Sequence, residues 1–278
     1  MIIILSGGLG NQMFQYALNL SLKDKGRNVV LDNSLFSHVK MHNGFELERC
    51  FGVNEPLIQG GKLHVFYLRI LLKLKPKKLL YQDTLMYNEN VFTTRCKYIS
   101  GYWQSEKYFS QIENKIRTTF EFKNIDAQNR NLAKEINSQN SVSLHIRRGD
   151  YLGNNIYSGV CTEEYYRKAI KIITEKNSQD KNLKFYIFSD DKKYATEFIN
   201  KLNYPARLID FNNGSDSYKD MYLMSQCRHN IIANSSFSWW GAWLNNYSDK
   251  IVVAPRKWFN IENENLYKDI VPDNWIKI

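Results

Sequence analysis

Short apolar runs recur along this 278-residue chain, each ended by glycine or a polar cluster and followed by a stretch with helical spacing. Residues 2–5 open the pattern. Gly7, Gly8 and Gly10 make a turn, and Met13, Phe14, Ala17, Leu18 and Leu22 recur at helical spacing until Gly26 closes the helix. Residues 28–32 read as the next strand, which completes a βαβ opening. After residue 140 the rhythm resumes, with strands expected at 142–146, 184–188, 206–210, 230–233 and 250–254, the last of them stopped by Pro255. Helices fall between them, one starting from Thr162 as N-cap. Successive strands joined through helices must run parallel, so the chain is expected to be α/β with one parallel sheet in each half. The Asn- and Gln-rich stretch 123–140 is the expected junction, giving domains 1–138 and 139–278.

Open α/β sheets bind ligands just beyond the carboxyl ends of their strands, and the polar groups of this chain fall there. Gly7 to Gln12 follows the first strand, His-Ile-Arg-Arg-Gly-Asp-Tyr at 145–151 follows the first strand of the second half, and Ser189-Asp190-Asp191 and Asn234 to Ser238 follow two later ones. Adjacent Arg147 and Arg148 offer planar, permanently charged forks that match phosphate oxygens in pairs. The bland alternative is a solvated ion-pair cluster with Asp150. Gly10, Asn11 and Gln12 are expected to approach a ligand, with the two amides pointing at it; a plain tight turn competes. Gly8-Leu9-Gly10 with Asp32 as ribose partner also invites a nicotinamide-dinucleotide reading, but the third glycine of that fingerprint is missing, since Met13 or Phe14 stands in its place. Ser235, Ser236 and Ser238 precede a helix, where hydroxyls and amides can converge on an anion. Simple N-capping would account for one of the three. Asp190 and Asp191 suit a nucleoside edge or a solvated strand end equally, and Trp239, Trp240 and Trp243 read as core.

The net charge of +10 fits an anionic ligand, an acidic membrane surface or nucleic acid. Nucleic acid is disfavoured, because the arginines sit at strand ends and not in a basic stripe with stacking rings. Aromatic residues make up 14% of the chain, a supply that can line sugar sites but mostly fills cores. Four scattered cysteines, Cys50, Cys96, Cys161 and Cys227, read as reduced thiols, and five histidines without paired-ligand spacing give no expectation of a metal or cofactor. The apolar start is too short for a secretory or membrane segment, so a cytoplasmic chain is expected. Between residues 62 and 78, basic residues interleave with Leu63, Phe66, Leu68, Ile70, Leu71, Leu72 and Leu74, and Pro76 stops any helix. This is either an interfacial helix making peripheral contact with the inner face of the cell membrane, or a packing helix with a solvated basic face.

Four blocks carry a resemblance: Gly-Gly-Leu-Gly-Asn-Gln-Met-Phe-Gln-Tyr-Ala at 7–17, the heptapeptide at 145–151, Phe-Ser-Asp-Asp at 188–191, and Asn-Ser-Ser-Phe-Ser-Trp-Trp-Gly-Ala-Trp at 234–243. In that order, across nearly the whole chain, they resemble the α-1,2-fucosyltransferases, glycosyltransferase family 11, in a bacterial form. The resemblance implies a GT-B architecture of two Rossmann-like domains facing a central cleft, residues 1–138 on the acceptor side and 139–278 binding GDP-fucose. It also implies GDP-β-L-fucose as co-substrate, inversion at the anomeric carbon, a galactose-terminated acceptor that is soluble or lipid-linked, and no metal. By likeness Arg147 holds the pyrophosphate, helped by Arg148. His145, Ser189, Asp190 and Asp191 lie near the nucleoside, and Asn234, Ser235, Ser236 and Phe237 adjoin the phosphates. Gly10 and Gln12 complete the donor set, with Arg147, Asp150 and Asn11 as candidate catalytic residues. A non-catalytic GDP-sugar- or glycan-binding protein on the same fold is the alternative.

Overall fold

The computed structural model describes residues 1–37, 43–177 and 182–278, and the chain divides into two compact units. The first comprises Met1–Asn124 and Asn265–Pro272; the second comprises Ile125–Glu264 and Asp273–Ile278.

The first unit alternates strand and helix as β1 (Ile2–Ile4), α1 (Leu9–Asp24), β2 (Val30–Asp32), α2 (Leu47–Phe51), β3 (Leu57–Ile58), α3 (Lys62–Leu74), β4 (Leu79–Tyr81), α4 (Asn90–Thr93), β5 (Tyr98–Ser100) and α5 (Glu113–Thr119). The strands form one parallel sheet in the order β3-β2-β1-β5-β4. Apart from Asn11, α1 is buried from Leu9 to Leu22, as expected of a helix covered on every side. Its end follows the glycine signal: Gly26, at φ +75°, takes the left-handed conformation that closes a helix. On α3, Leu68 and Leu71 pack against Ile4, Leu79 and Tyr98.

The second unit runs α6 (Ala127–Asn137), β6 (Asn140–Ile146), α7 (Glu163–Lys176), β7 (Leu183–Ser189), α8 (Lys192–Ile199), β8 (Ala206–Ile209), α9 (Tyr218–Gln226), β9 (His229–Ile231), α10 (Ser236–Leu244), β10 (Val252–Ala254) and β11 (Ile276–Lys277). Its parallel sheet has the order β11-β10-β9-β6-β7-β8. Val142, Leu144 and Ile146 meet Tyr166, Ile170 and Ile173 of α7 and Phe198 of α8 on one face. On the other, Tyr186 and Phe188 of β7 meet Leu132 and Ile136 of α6 with Leu223 and Met224 of α9. Helices on both faces leave all seven residues of β6 buried, which is why parallel strands of this class read as unbroken runs. Thr162 caps α7 as expected, its side chain accepting from the Tyr165 amide at 3.3 Å.

The α/β class with a parallel sheet in each half is therefore what the pattern implied, and each sheet is Rossmann-like. Three details differ. The boundary lies at 124/125 and not at 138, because α6 buries Leu132, Ala133 and Ile136 in the core of the second unit. Residues 265–272 belong to the first unit. The strand at 252–254 is not the last, since Ile276 and Lys277 pair with Val253 and Ala254; two residues are too few to show a period. Ile136 is fully buried, so Ile136→Ala should lower unfolding stability by about 2–5 kcal/mol, read from the denaturant midpoint. A junction residue outside any core would leave that midpoint within about 0.5 kcal/mol of wild type.

Candidate active site

β6 stops at Ile146, directly opposite Ser189 at the end of β7, and β9 flanks its other side with Ile231 opposite Leu144. The chain builds outward from β6 through β7 to β8 and then crosses back to lay β9 on the opposite flank. The switch point of this sheet is thus the gap between β6 and β9, the position at which open α/β sheets hold ligands.

Both arginines emerge there, each fixed by carboxylates. Arg147 forms ion pairs with Asp150, Nη2 to Oδ1 at 2.8 Å, and with Asp190, Nη1 to Oδ2 at 3.1 Å, and its guanidinium lies 5.5 Å from the Tyr151 ring centre. Burial opposes the Arg147 charge, but Asp190 and Asp150 more than offset it and raise its proton affinity. Arg148 stacks 3.9 Å above the Tyr194 ring while its Nε donates to Asp191 Oδ2 at 3.2 Å. Asp190 Oδ1 also accepts from the Arg148 amide at 2.9 Å. Asp191 Oδ1 caps α8 through the Tyr194 amide at 3.0 Å, and that bond, followed by Arg148, holds its carboxyl below the usual range. Ser189 Oγ accepts from the Asp191 amide at 3.0 Å. A Cβ on Gly149 would sit 2.8 Å from Asp190 Oδ2 and push that carboxylate aside.

His145, one residue short of the strand end, is buried with its ring 5.9 Å from that of Phe237. Its Nδ1 has no hydrogen-bond partner among the described residues. Burial, then the neighbouring Arg147 charge, push its pKa down to about 4, with Asp190 opposing, so the imidazole is neutral at pH 7. A buried nitrogen left unpaired costs about 1–3 kcal/mol, and such groups call for a functional explanation.

Two expected contacts are spent on scaffolding. The Asn234 amide donates to the carbonyls of Trp258 at 3.1 Å and Tyr157 at 3.3 Å, and the Asn234 carbonyl accepts from Tyr151 Oη at 3.0 Å. Ser235 Oγ caps α10 through the Phe237 amide at 3.3 Å, and Ser238 Oγ donates to the Ser235 carbonyl at 3.4 Å. Ser236 and Phe237 are partly exposed. Trp239, Trp240 and Trp243 are buried core rings.

In the first unit, Gly10, Asn11 and Gln12 open α1. The expectation for Gln12 is corrected. Its side chain is fully buried, donating to the carbonyls of Gly7 at 3.0 Å and Gly44 at 2.8 Å and accepting from the Glu46 amide at 2.9 Å; it shapes the loop from inside. Asn11 is partly exposed, and its Oδ1 accepts from Gln104 Nε2 at 2.6 Å. A Cβ on Gly7, at φ +82°, would lie 2.6 Å from Asn11 Nδ2, so this turn needs its glycine. Asp32 is no ribose partner in waiting. It is fully buried, with Oδ1 accepting from the Ser34 amide at 3.0 Å and Oδ2 bonded to His64 Nε2 at 2.7 Å.

Residues 81–278 match the family described as Glycosyl transferase family 11. The alpha-1,2-colitosyltransferase of Escherichia coli is 35% identical over 99% of this chain and 97% of its own length. The chain belongs to glycosyl transferase family 11. The O-antigen biosynthesis glycosyltransferase WbnK of Escherichia coli is 34% identical over 99% of each chain. Galactoside alpha-(1,2)-fucosyltransferase 1 of Rattus norvegicus is 26% identical over 86% of this chain and 61% of its own. The expected family and enzyme class therefore hold, and this family 11 chain is a glycosyltransferase.

The structure adds side chains that linear reading missed. Tyr194, under Arg148, lies 46 positions away along the chain and is signalled only by its place three residues after the capping Asp191. Tyr157 stacks on Tyr151 at 4.8 Å. The pair Asp32–His64 bridges a strand end and the first turn of α3, where His64 taken alone gives no signal. His38 and His42 lie outside the described residues.

The low pKa of His145 has a stability consequence. His145 and His229, the latter also buried and beside Arg228, both sit at about 4 in the fold, against about 6.5 in the unfolded chain. Their neutral burial stabilises the fold fully above about 6.5, and that contribution is lost as pH falls through the window towards about 4. Thermal midpoints measured across this range should decline for wild type and decline less for His145→Gln. Parallel curves would mean that His145 is not buried neutral.

Proposed function

We propose that this family 11 enzyme is an inverting α-1,2-fucosyltransferase that transfers L-fucose from GDP-β-L-fucose to the 2-hydroxyl of a terminal galactose, in an oligosaccharide or a lipid-linked glycan. Residues 1–124 serve the acceptor and the second unit binds the donor. The observation that carries it is Arg147, held at the switch point of the second sheet by Asp150 at 2.8 Å and Asp190 at 3.1 Å.

In the transfer, the acceptor oxygen forms a bond to the anomeric carbon on the face opposite the diphosphate. The bond from that carbon to the β-phosphate oxygen breaks, its electron pair leaves with GDP, and the hydroxyl proton passes to a base or to solvent. Charge grows on the β-phosphate as the sugar gains oxocarbenium character. A fixed guanidinium needs no reorganisation to meet that charge. Asp190 and Asp191 are tied to backbone amides, whereas Asp150 is 54% exposed and is the partner a phosphate oxygen would replace on Arg147. Asp150 thus acts as placeholder and guide for Arg147 more readily than as the general base. His145 Nδ1 serves the nucleotide, Arg148 assists Arg147 at the pyrophosphate, Ser189 lies on the nucleoside side, and Ser235, Ser236 and Phe237 line the phosphates. Asn234 and Gln12 act through the loops that they hold, and Gly10 and Asn11 present the first unit's loop.

One observation favours a second donor. The relative named as a colitosyltransferase matches almost the full chain, and colitose is fucose lacking the 3-hydroxyl. A donor screen with GDP-fucose and GDP-colitose against galactose-terminated acceptors, with linkage read by NMR, decides between them. Release of GDP from neither donor, although both bind, would favour the non-catalytic alternative.

Arg147→Lys keeps the charge and loses the planar fork. It should cost on the order of 10²–10³ in kcat; wild-type turnover would remove Arg147 from the pyrophosphate. The sequence has no Asp-x-Asp motif in an apt loop, and no group of three or more His, Cys, Asp or Glu set to share a metal occurs among the described residues. Turnover should therefore persist in excess EDTA. Loss of turnover, restored by Mn²⁺ or Mg²⁺, would replace the arginine clamp with a metal.

A further inference from the structure

Helix α3 carries an apolar stripe on its outer side. Leu63 is 86% exposed, Phe66 63%, Ile70 41% and Leu74 69%. At about 100° per residue these four fall within roughly 80° of the helix circumference, in a line about 16 Å long. The buried side of the same helix, Val65, Leu68 and Leu71, is already satisfied by the sheet, so the stripe is surplus to folding. Lys62, Arg69 and Lys73 occupy the arc directly beside it, and Lys77 follows the helix end. None of these four cations enters an ion pair among the described residues, although Lys75 pairs with Asp83 nearby. No acidic residue occurs between Glu55 and Asp83. Among the described residues no helix is long and apolar enough to cross a membrane.

We infer that α3 is an interfacial helix that seats the first unit on an anionic membrane surface. The apolar stripe enters the boundary between headgroups and acyl chains, and the neighbouring cations meet lipid phosphates. Charge complementarity selects this occupant. Apolar side chains beside unpaired cations suit a surface that is greasy at one depth and negative at the next, whereas a second copy of the same helix would set like charges against each other. The inference rests on the reading of the first unit as the acceptor side and extends it: a docked first unit faces acceptors anchored in the same bilayer, which assigns the acceptor to the lipid-linked class.

The test uses the full chain with vesicles of phosphatidylcholine alone or with about 30% phosphatidylglycerol. Wild type should co-sediment with the anionic vesicles, stay in solution with the neutral ones, and be released as salt rises towards about 0.5 M, where charges are screened. Phe66→Ser with Leu74→Ser, and separately Arg69→Glu with Lys73→Glu, should each cut the bound fraction about tenfold or more. These positions are exposed, so the thermal midpoint and turnover of a soluble galactoside should match wild type. Turnover of a galactoside anchored in anionic vesicles should fall with binding. Absence of wild-type binding to anionic vesicles overturns the inference, and so does binding that salt does not weaken. A dimer seen by light scattering that the Phe66 and Leu74 changes dissolve, without vesicle binding, would assign the stripe to self-association instead. Vesicle binding without sugar transfer would sink the functional reading and leave the surface standing; transfer without binding would do the reverse.

Discussion

Seven consecutive residue pairs lock β6 to β7, from Asn140 opposite Leu183 to Ile146 opposite Ser189, and the chemistry of the second unit depends on where that ladder stops. Because the strands end level, the residues immediately beyond them face one another across a single strand spacing. Arg147 and Arg148 leave one strand where Asp190 and Asp191 leave the other. A shift of one residue would turn Val142, Leu144 and Ile146 out of the core they share with α7, so register is held by burial all along the strand. The apolar core therefore sets the positions of the charges.

The ion pairs at this edge contribute little to stability. Apart from Asp150 their side chains are mostly buried, and the cost of desolvating them offsets much of their attraction. Their effect is geometric. Asp191 caps α8 with one oxygen and holds Arg148 with the other, so the direction of a guanidinium is tied to the start of a helix. Asp190 bonds Arg147 through its side chain and Arg148 through its amide, which couples the two arginines. Tyr194, under Arg148, is carried in on the same helix. An arginine braced on two sides loses little freedom when it meets a phosphate, and preorganised donors of this kind do the most for a charged transition state.

Much of this was legible in the chain. Apolar runs of parallel strands, the turn at Gly7–Gly8, the Thr162 cap and the strand-end position of the arginines are local features, and local features leave local marks. What stayed hidden involves partners far apart along the chain. Gln12 resembles a ligand-facing amide until Gly44 and Glu46 are brought to it. Asp32 fits the spacing of a ribose partner, but α3 delivers His64 to its carboxylate. The polar composition of residues 123–140 suggested a junction because the apolar residues α6 buries form a narrow stripe, Leu132, Ala133 and Ile136, and even its buried Asn129 is polar. Two-residue strands such as β3 and β11 are shorter than one full alternation and leave no period to detect.

The polar side of β6 changes character towards the strand end. Ser141, Ser143 and His145 alternate with the apolar residues and are all buried, although buried polar groups are costly unless bonded. Ser141 Oγ accepts from the Arg228 amide at 3.1 Å, and Ser143 Oγ accepts from Asn230 Nδ2 at 2.7 Å. Asn230 is itself held by Asn245 at 2.7 Å. These two serines knit β6 to β9 deep in the unit, and their needs are met internally. His145, the next in the series and the nearest to the switch point, breaks the pattern with its unpartnered Nδ1. Had the strand's polar face served stability alone, an apolar residue at 145 would have removed that desolvation cost without losing packing against Phe237. The imidazole there is neutral and lies beside Arg147, with one nitrogen unmatched by any described residue.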